Sequence, residues 1–70
     1  MNEEIWKVLN NIEMRLQQCN ILSQLLDVKQ KGIDVDYERH FREGYTRDEV
    51  LVGEDLVDLF LKLKEVSGMR

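Results

Sequence analysis

The sequence predicts an all-α fold: two long antiparallel amphipathic helices joined by a short helix or turn, forming a helical bundle completed by dimerisation. Three observations carry that expectation. Apolar residues recur at alternating steps of four and three through both ends of the chain. The chain has no proline, and three of its four glycines, Gly32, Gly44 and Gly68, stand where those periodic runs stop. A capping-box tetrapeptide, Thr46-Arg47-Asp48-Glu49, opens the second run. With 70 residues, 43% hydrophobic and 34% charged, the chain suits one small helical domain over residues 1–70 and lies outside the composition of disordered segments.

Helix one is expected from Asn2 to about Lys31. Ile5, Leu9, Ile12, Leu16, Cys19, Leu22 and Leu26 form its seam, with Asn2 as N-cap and Glu3 and Glu4 at the positive end of the dipole. Lys29 and Lys31 suit the other end, and Gly32 supplies the left-handed residue that closes a last turn. Unbroken, this helix would be roughly 40 to 45 Å long, more than a compact chain of this size is wide. Ile21, Leu25 and Val28 lie off the seam, so the second half of the helix should touch two neighbours.

Residues 33–45 admit two readings. Ile33, Val35 and Tyr37 alternate like a strand of a small hairpin, while 34–43 also fits a short capped helix. The short helix is the expectation, because a lone strand would leave its backbone unpaired. Helix two is expected over 47–66, entered by the capping box, with Tyr45 stapled onto Val50 and Ser67-Gly68 as its stop. Val52, Leu56, Leu59, Leu63 and Val66 form its seam, flanked by Val50, Val57 and Phe60. Gly53 inside the helix costs about 1 kcal/mol relative to alanine, so it marks either a close neighbour or a later start at Glu54; the continuous helix is preferred. Both helices carry more apolar surface than one stripe each can bury, which points to a homodimer with Ile5, Leu9, Ile12, Leu16, Cys19, Leu26, Leu56, Phe60 and Leu63 on the core and dimer seam.

Cys19 is the only cysteine, so an intrachain disulfide and a thiolate metal cluster are both excluded. On the seam it reads as a small buried thiol. No apolar run approaches the roughly 20 residues of a membrane span, and the opening residues are acidic where a signal peptide is basic. The expected location is therefore cytoplasmic, with no membrane partner. His40 is the only histidine, and no further ligands stand near it at metal-binding spacing. No metal, cofactor or catalytic residue is predicted, and the protein is not expected to be an enzyme.

Charge is unevenly distributed. The net charge of −4 arises from residues 34–58, which carry nine carboxylates against Arg39, Arg42 and Arg47. Residues 1–33 balance, and residues 59–70 are slightly basic. Ten scattered basic residues beneath an acidic excess argue against direct nucleic-acid binding. Within the acidic region, Asp34, Asp36, Tyr37, Glu38, Arg39, Phe41, Arg42, Glu43 and Tyr45 interleave carboxylates with residue types enriched at interface hot spots. They are the predicted partner-binding residues. The function expected is a small acidic interaction module that regulates or inhibits a partner protein. One form of it would set an acidic face into the basic groove of a nucleic-acid enzyme, as small phage-encoded inhibitors do. A purely structural coiled-coil module is an alternative.

The segment Glu54-Asp55-Leu56-Val57-Asp58-Leu59-Phe60 places Glu54 and Asp58 one helical turn apart. It resembles one half of the motif of the MazG-like, all-helical nucleotide pyrophosphohydrolases. The resemblance implies a dimeric, Mg²⁺-dependent hydrolase, with these carboxylates turned to a hard cation. That family pairs the segment with a second acidic pair on an earlier helix, where this chain supplies only the isolated Glu13 and Asp27.

Overall fold

The computed structural model describes residues 3–68, which form four helices: α1 (Glu3–Gln18), α2 (Asn20–Gln30), α3 (Tyr37–His40) and α4 (Arg47–Val66). Among the described residues there is no strand, so the all-α class holds and the hairpin alternative does not. The proposed N-cap Asn2 lies outside the described residues.

Helix one differs from the expectation. It is broken at Cys19, whose φ of −100° and ψ of 121° are extended rather than helical. The Cys19 amide still donates to the Leu16 carbonyl at 3.2 Å, and its own carbonyl accepts from Ser23 at 2.8 Å, so a single residue both ends α1 and starts α2. Cysteine and asparagine are weak helix formers, and the break lets α2 leave the line of α1 to dock on α4. Cys19 is therefore a half-buried junction residue and not a buried member of a continuous seam. The two long antiparallel helices become a broken one and an intact one. Gly32, at φ 73°, closes α2 as expected.

The connector is the short helix, reduced to four residues. The Asp36 side chain caps it by accepting from the Arg39 amide at 3.2 Å. Phe41 then departs from helical geometry, and Gly44 and Tyr45 donate back to its carbonyl at 3.2 and 3.0 Å, forming the turn that leads into α4. At Thr46 the capping box is complete: its hydroxyl accepts from the Glu49 amide at 3.2 Å, and the Glu49 carboxylate accepts from the Thr46 amide at 3.0 Å. α4 runs through Gly53 without interruption to Ser67 and Gly68, the latter at φ 78°.

The core consists of Leu9, Leu25, Leu26, Phe41, Val50, Val57 and Phe60, with Ile12, Leu16, Ile21, Leu22, Val35, Tyr37, Tyr45 and Leu61 packed around it. α4 thus buries the face carrying Val50, Gly53, Val57 and Phe60, not the Val52–Val66 seam. The reason is Gly53. A Cβ there would meet Leu25 Cδ1 at 2.6 Å and Leu22 Cδ2 at 3.4 Å, so the Leu25 side chain fills the space over Gly53 and would have to shift for any larger residue. Of the predicted seam, Leu9, Leu26 and Phe60 are buried, Ile12, Leu16 and Cys19 are half-buried, and Ile5, Leu56 and Leu63 are exposed.

Leu25 is fully enclosed. Leu25→Ala is expected to cost about 2–5 kcal/mol, most of what a chain of this size has, and to leave it largely unfolded by circular dichroism at 25 °C. Gly53→Val should lower stability by about 1–3 kcal/mol in urea titration, although valine is the better helix former, because overpacking outweighs propensity there.

Candidate interaction surface

The predicted partner-binding residues divide into a buried set and an exposed set. Phe41 is only 2% exposed and belongs to the core, so it is not a contact residue. Tyr37 is half-buried and donates its hydroxyl to the Tyr45 carbonyl at 2.7 Å, tying the start of α3 to the entry of α4. Tyr45 packs against the core beside Phe41, with ring centroids 6.3 Å apart. The three aromatics of the connector therefore cap the end of the helical core. Phe41 spends its area inside the molecule, while Tyr37 and Tyr45 keep part of theirs at the surface.

The exposed set is Asp34, Asp36, Glu38, Arg39, Arg42 and Glu43. Part of its charge is spent locally. Glu38 pairs with Arg42 and with Arg47, whose guanidinium stands 4.9 Å from the Tyr37 ring centroid. Asp36 is occupied as the α3 cap. A trough of about 490 Å³ between the connector and α4 is lined by Asp34, Asp36, Glu38 and Glu54, with Tyr37 and Arg47 on its walls. His40 lies exposed at the end of α3, edge-on to Phe41, and Cys19 lines a separate depression beside α4.

The carboxylates of the nucleotide-hydrolase resemblance are each engaged by a lysine of the chain. Glu54 and Asp58 do converge, but on the Lys29 ammonium of α2, at 3.4 and 3.0 Å. Glu13 is taken by Lys64 at 3.3 Å and Asp27 by Lys31 at 3.0 Å. Each acid that the motif would use is paired with a lysine. Among the described residues, no group of three or more histidine, cysteine, aspartate or glutamate side chains comes together to hold a metal ion. The hydrogen bond to Asp58 first, then its charge and that of Glu54, hold the Lys29 pKa above its ordinary 10.5 against the opposing effect of burial.

Sequence periodicity had placed the most prominent surface feature in the interior. Val52, Leu56, Leu59, Leu63 and Val66 form a stripe along α4 whose members range from 41% exposed at Leu63 to 71% at Val66. Ile5 and Val8 of α1 add exposed apolar area. Two apolar depressions lie between the stripe and the α1–α2 side and meet at Leu56. One, of about 410 Å³, is walled by Cys19, Ile21, Leu22 and Val52; the other, of about 160 Å³, by Ile12, Leu16, Leu59 and Leu63. The stripe is thus a ridge beside a groove, the relief by which helices interlock. Scattered exposed leucines are ordinary, but five at a four-three spacing on one helix are a contiguous patch.

No helix among the described residues is long and apolar enough to cross a membrane. Comparison with family models, characterised proteins and solved structures finds no match to this chain.

The Lys29 cluster gives a pH prediction. A lysine whose folded pKa is raised contributes stability that is fully present below its unfolded value and is lost as pH rises through the folded one. The native chain should therefore lose up to about 1 kcal/mol more than Lys29→Met as pH climbs past 10.5, and the two should run parallel near neutrality, measured by urea unfolding at each pH.

Proposed function

We propose that this protein is a helical protein–protein interaction module whose working surface is the apolar stripe of α4 and the adjoining edge of α1. The observation that carries the reading is the exposed heptad stripe Val52, Leu56, Leu59, Leu63 and Val66 on a helix whose other apolar face already holds the core. Helix faces of this kind are the units by which amphipathic helices bind one another.

A second contact zone is supported by the acidic trough. The trough of about 490 Å³ lies in the region carrying the chain's excess negative charge, and Asp34 on its rim has no partner within the described chain, which suits a basic side chain of a partner protein. In this arrangement the stripe supplies affinity and the trough supplies selection by charge. The excess of unpaired carboxylate supports a regulatory or inhibitory action on a partner with a basic surface, and Asp34 of the trough and Glu43 beside it, which carry no structural pairing among the described residues, are the carboxylates through which to test it.

A photo-reactive benzophenone amino acid placed at Leu59, and in a control at Lys7 on the far face of α1, tests the reading. Leu59 should yield protein–protein adducts, either in the purified protein or in extract of the cells that make it, and Lys7 should yield few. Absence of adducts from Leu59 in both settings would contradict an interaction role for this face.

A further inference from the structure

We infer that the occupant of the α4 stripe is a second copy of this chain, docked antiparallel across a two-fold axis between Leu56 and Leu59. The inference rests on the interaction reading above and names its partner. Three independent features of the molecule lead to it: surplus surface, heptad spacing and the order of charges beside the stripe.

The surface comes first. A compact chain of this mass exposes about 4,600 Å². This one exposes 5415 Å², with a radius of gyration of 12.9 Å, where a compact chain of 70 residues has about 11 Å. The molecule is elongated, 41 × 21 × 16 Å, and the extra surface this leaves, several hundred Å², is on the scale of the roughly 800 Å² per partner that a stable interface covers.

Spacing comes next. Steps of four, three, four and three from Val52 to Val66 are the alternation that keeps one side of a helix against another over successive turns. Phe60 and Gly53 lie on one flank of this stripe and are buried against the chain's own α1 and α2. Asp55 and Lys62 lie on the other flank, exposed and seven residues apart. On the first flank a partner helix meets only the apolar depressions lined by Gly53 and Phe60, so the charged groups of α4 that can face a partner across the stripe are Asp55 and Lys62.

Charge then fixes the direction. The first half of α4 is acidic and its second half carries Lys62 and Lys64. A parallel pair would set the acidic halves side by side. An antiparallel pair with Val52 facing the partner's Leu63, and Leu56 facing the partner's Leu59, brings Asp55 beside the partner's Lys62 twice by symmetry. Sliding the pair by one heptad would instead oppose Lys62 to its own copy. The same two residues thus select orientation and register.

The experiment is sedimentation equilibrium of the full chain over a concentration series, with circular dichroism of each variant as a folding control. The native chain should give twice 8.4 kDa. Leu59→Arg, at a position exposed in the single chain, should be monomeric and helical. Asp55→Lys or Lys62→Asp alone should each raise the dissociation constant by about tenfold, by turning two attractive pairs into two repulsive ones, and the double exchange should recover most of that loss. A native chain that stays monomeric throughout overturns the inference, as does a double exchange no better than either single change. Should Leu59→Arg fail to fold, the exposed charge pair still decides the question. A monomer that nonetheless forms Leu59 adducts in extract would sink the second copy and leave the interaction reading standing; no adducts anywhere would end both.

Discussion

The packing of Leu25 against Gly53 determines which side of α4 faces inward, and the remaining architecture follows from it. α4 is apolar around more than half of its circumference, so hydrophobicity alone leaves its orientation open. The bare surface at Gly53 favours one choice: the Leu25 side chain occupies the space that a Cβ there would need. Once Leu25 and Leu22 are seated, Val50, Val57 and Phe60 turn inward with Gly53, and the Val52–Val66 stripe is directed outward. An exposed stripe on this helix is the geometric consequence of a contact on its other side.

The break at Cys19 serves the same contact. A continuous first helix would carry Leu25 and Leu26 away along a straight line, whereas one extended residue allows α2 to cross α4. Lys29 then reaches Glu54 and Asp58, and Lys64 reaches Glu13, so polar clasps fix α2 and α1 to successive stretches of α4. Such pairs contribute modestly to stability. Their larger effect is on chemistry: they occupy the carboxylates that resemble half of a metal-dependent hydrolase motif.

Much of the fold was legible in the sequence because its signals are local. The capping box at Thr46, the left-handed Gly32 and Gly68, and the 47–66 span of the last helix each depend on a few adjacent residues. The break at Cys19 was hidden because apolar spacing continues in register from Leu16 to Leu22 across it, and the weak helix propensity of Cys19 and Asn20 becomes a break only once α2 docks on α4. The inward face of α4 was misassigned because the more regular four-three series belongs to the outer side. Gly53 could have corrected that, since a glycine in mid-helix shares its face with Val50, Val57 and Phe60, three, four and seven residues away. In the connector, sequence located the charged edge correctly but could not separate aromatics that face a partner from those that cap a core. Phe41, Tyr37 and Tyr45 are of the second kind, as the Tyr37 hydroxyl bond and the burial of Phe41 show.

In the proposed dimer the outer stripe of α4 meets its own copy antiparallel. Methyl contacts between chains test it most directly, by nuclear Overhauser spectroscopy on a mixture of isotope-labelled and unlabelled protein. Within one chain Val52 and Leu63 are separated by about 16 Å along the helix axis, beyond the reach of such a contact. A cross-peak between labelled Val52 and unlabelled Leu63 is the predicted result. Its absence from the mixture, or contacts joining Val52 to Val52 and Leu63 to Leu63, would contradict the account.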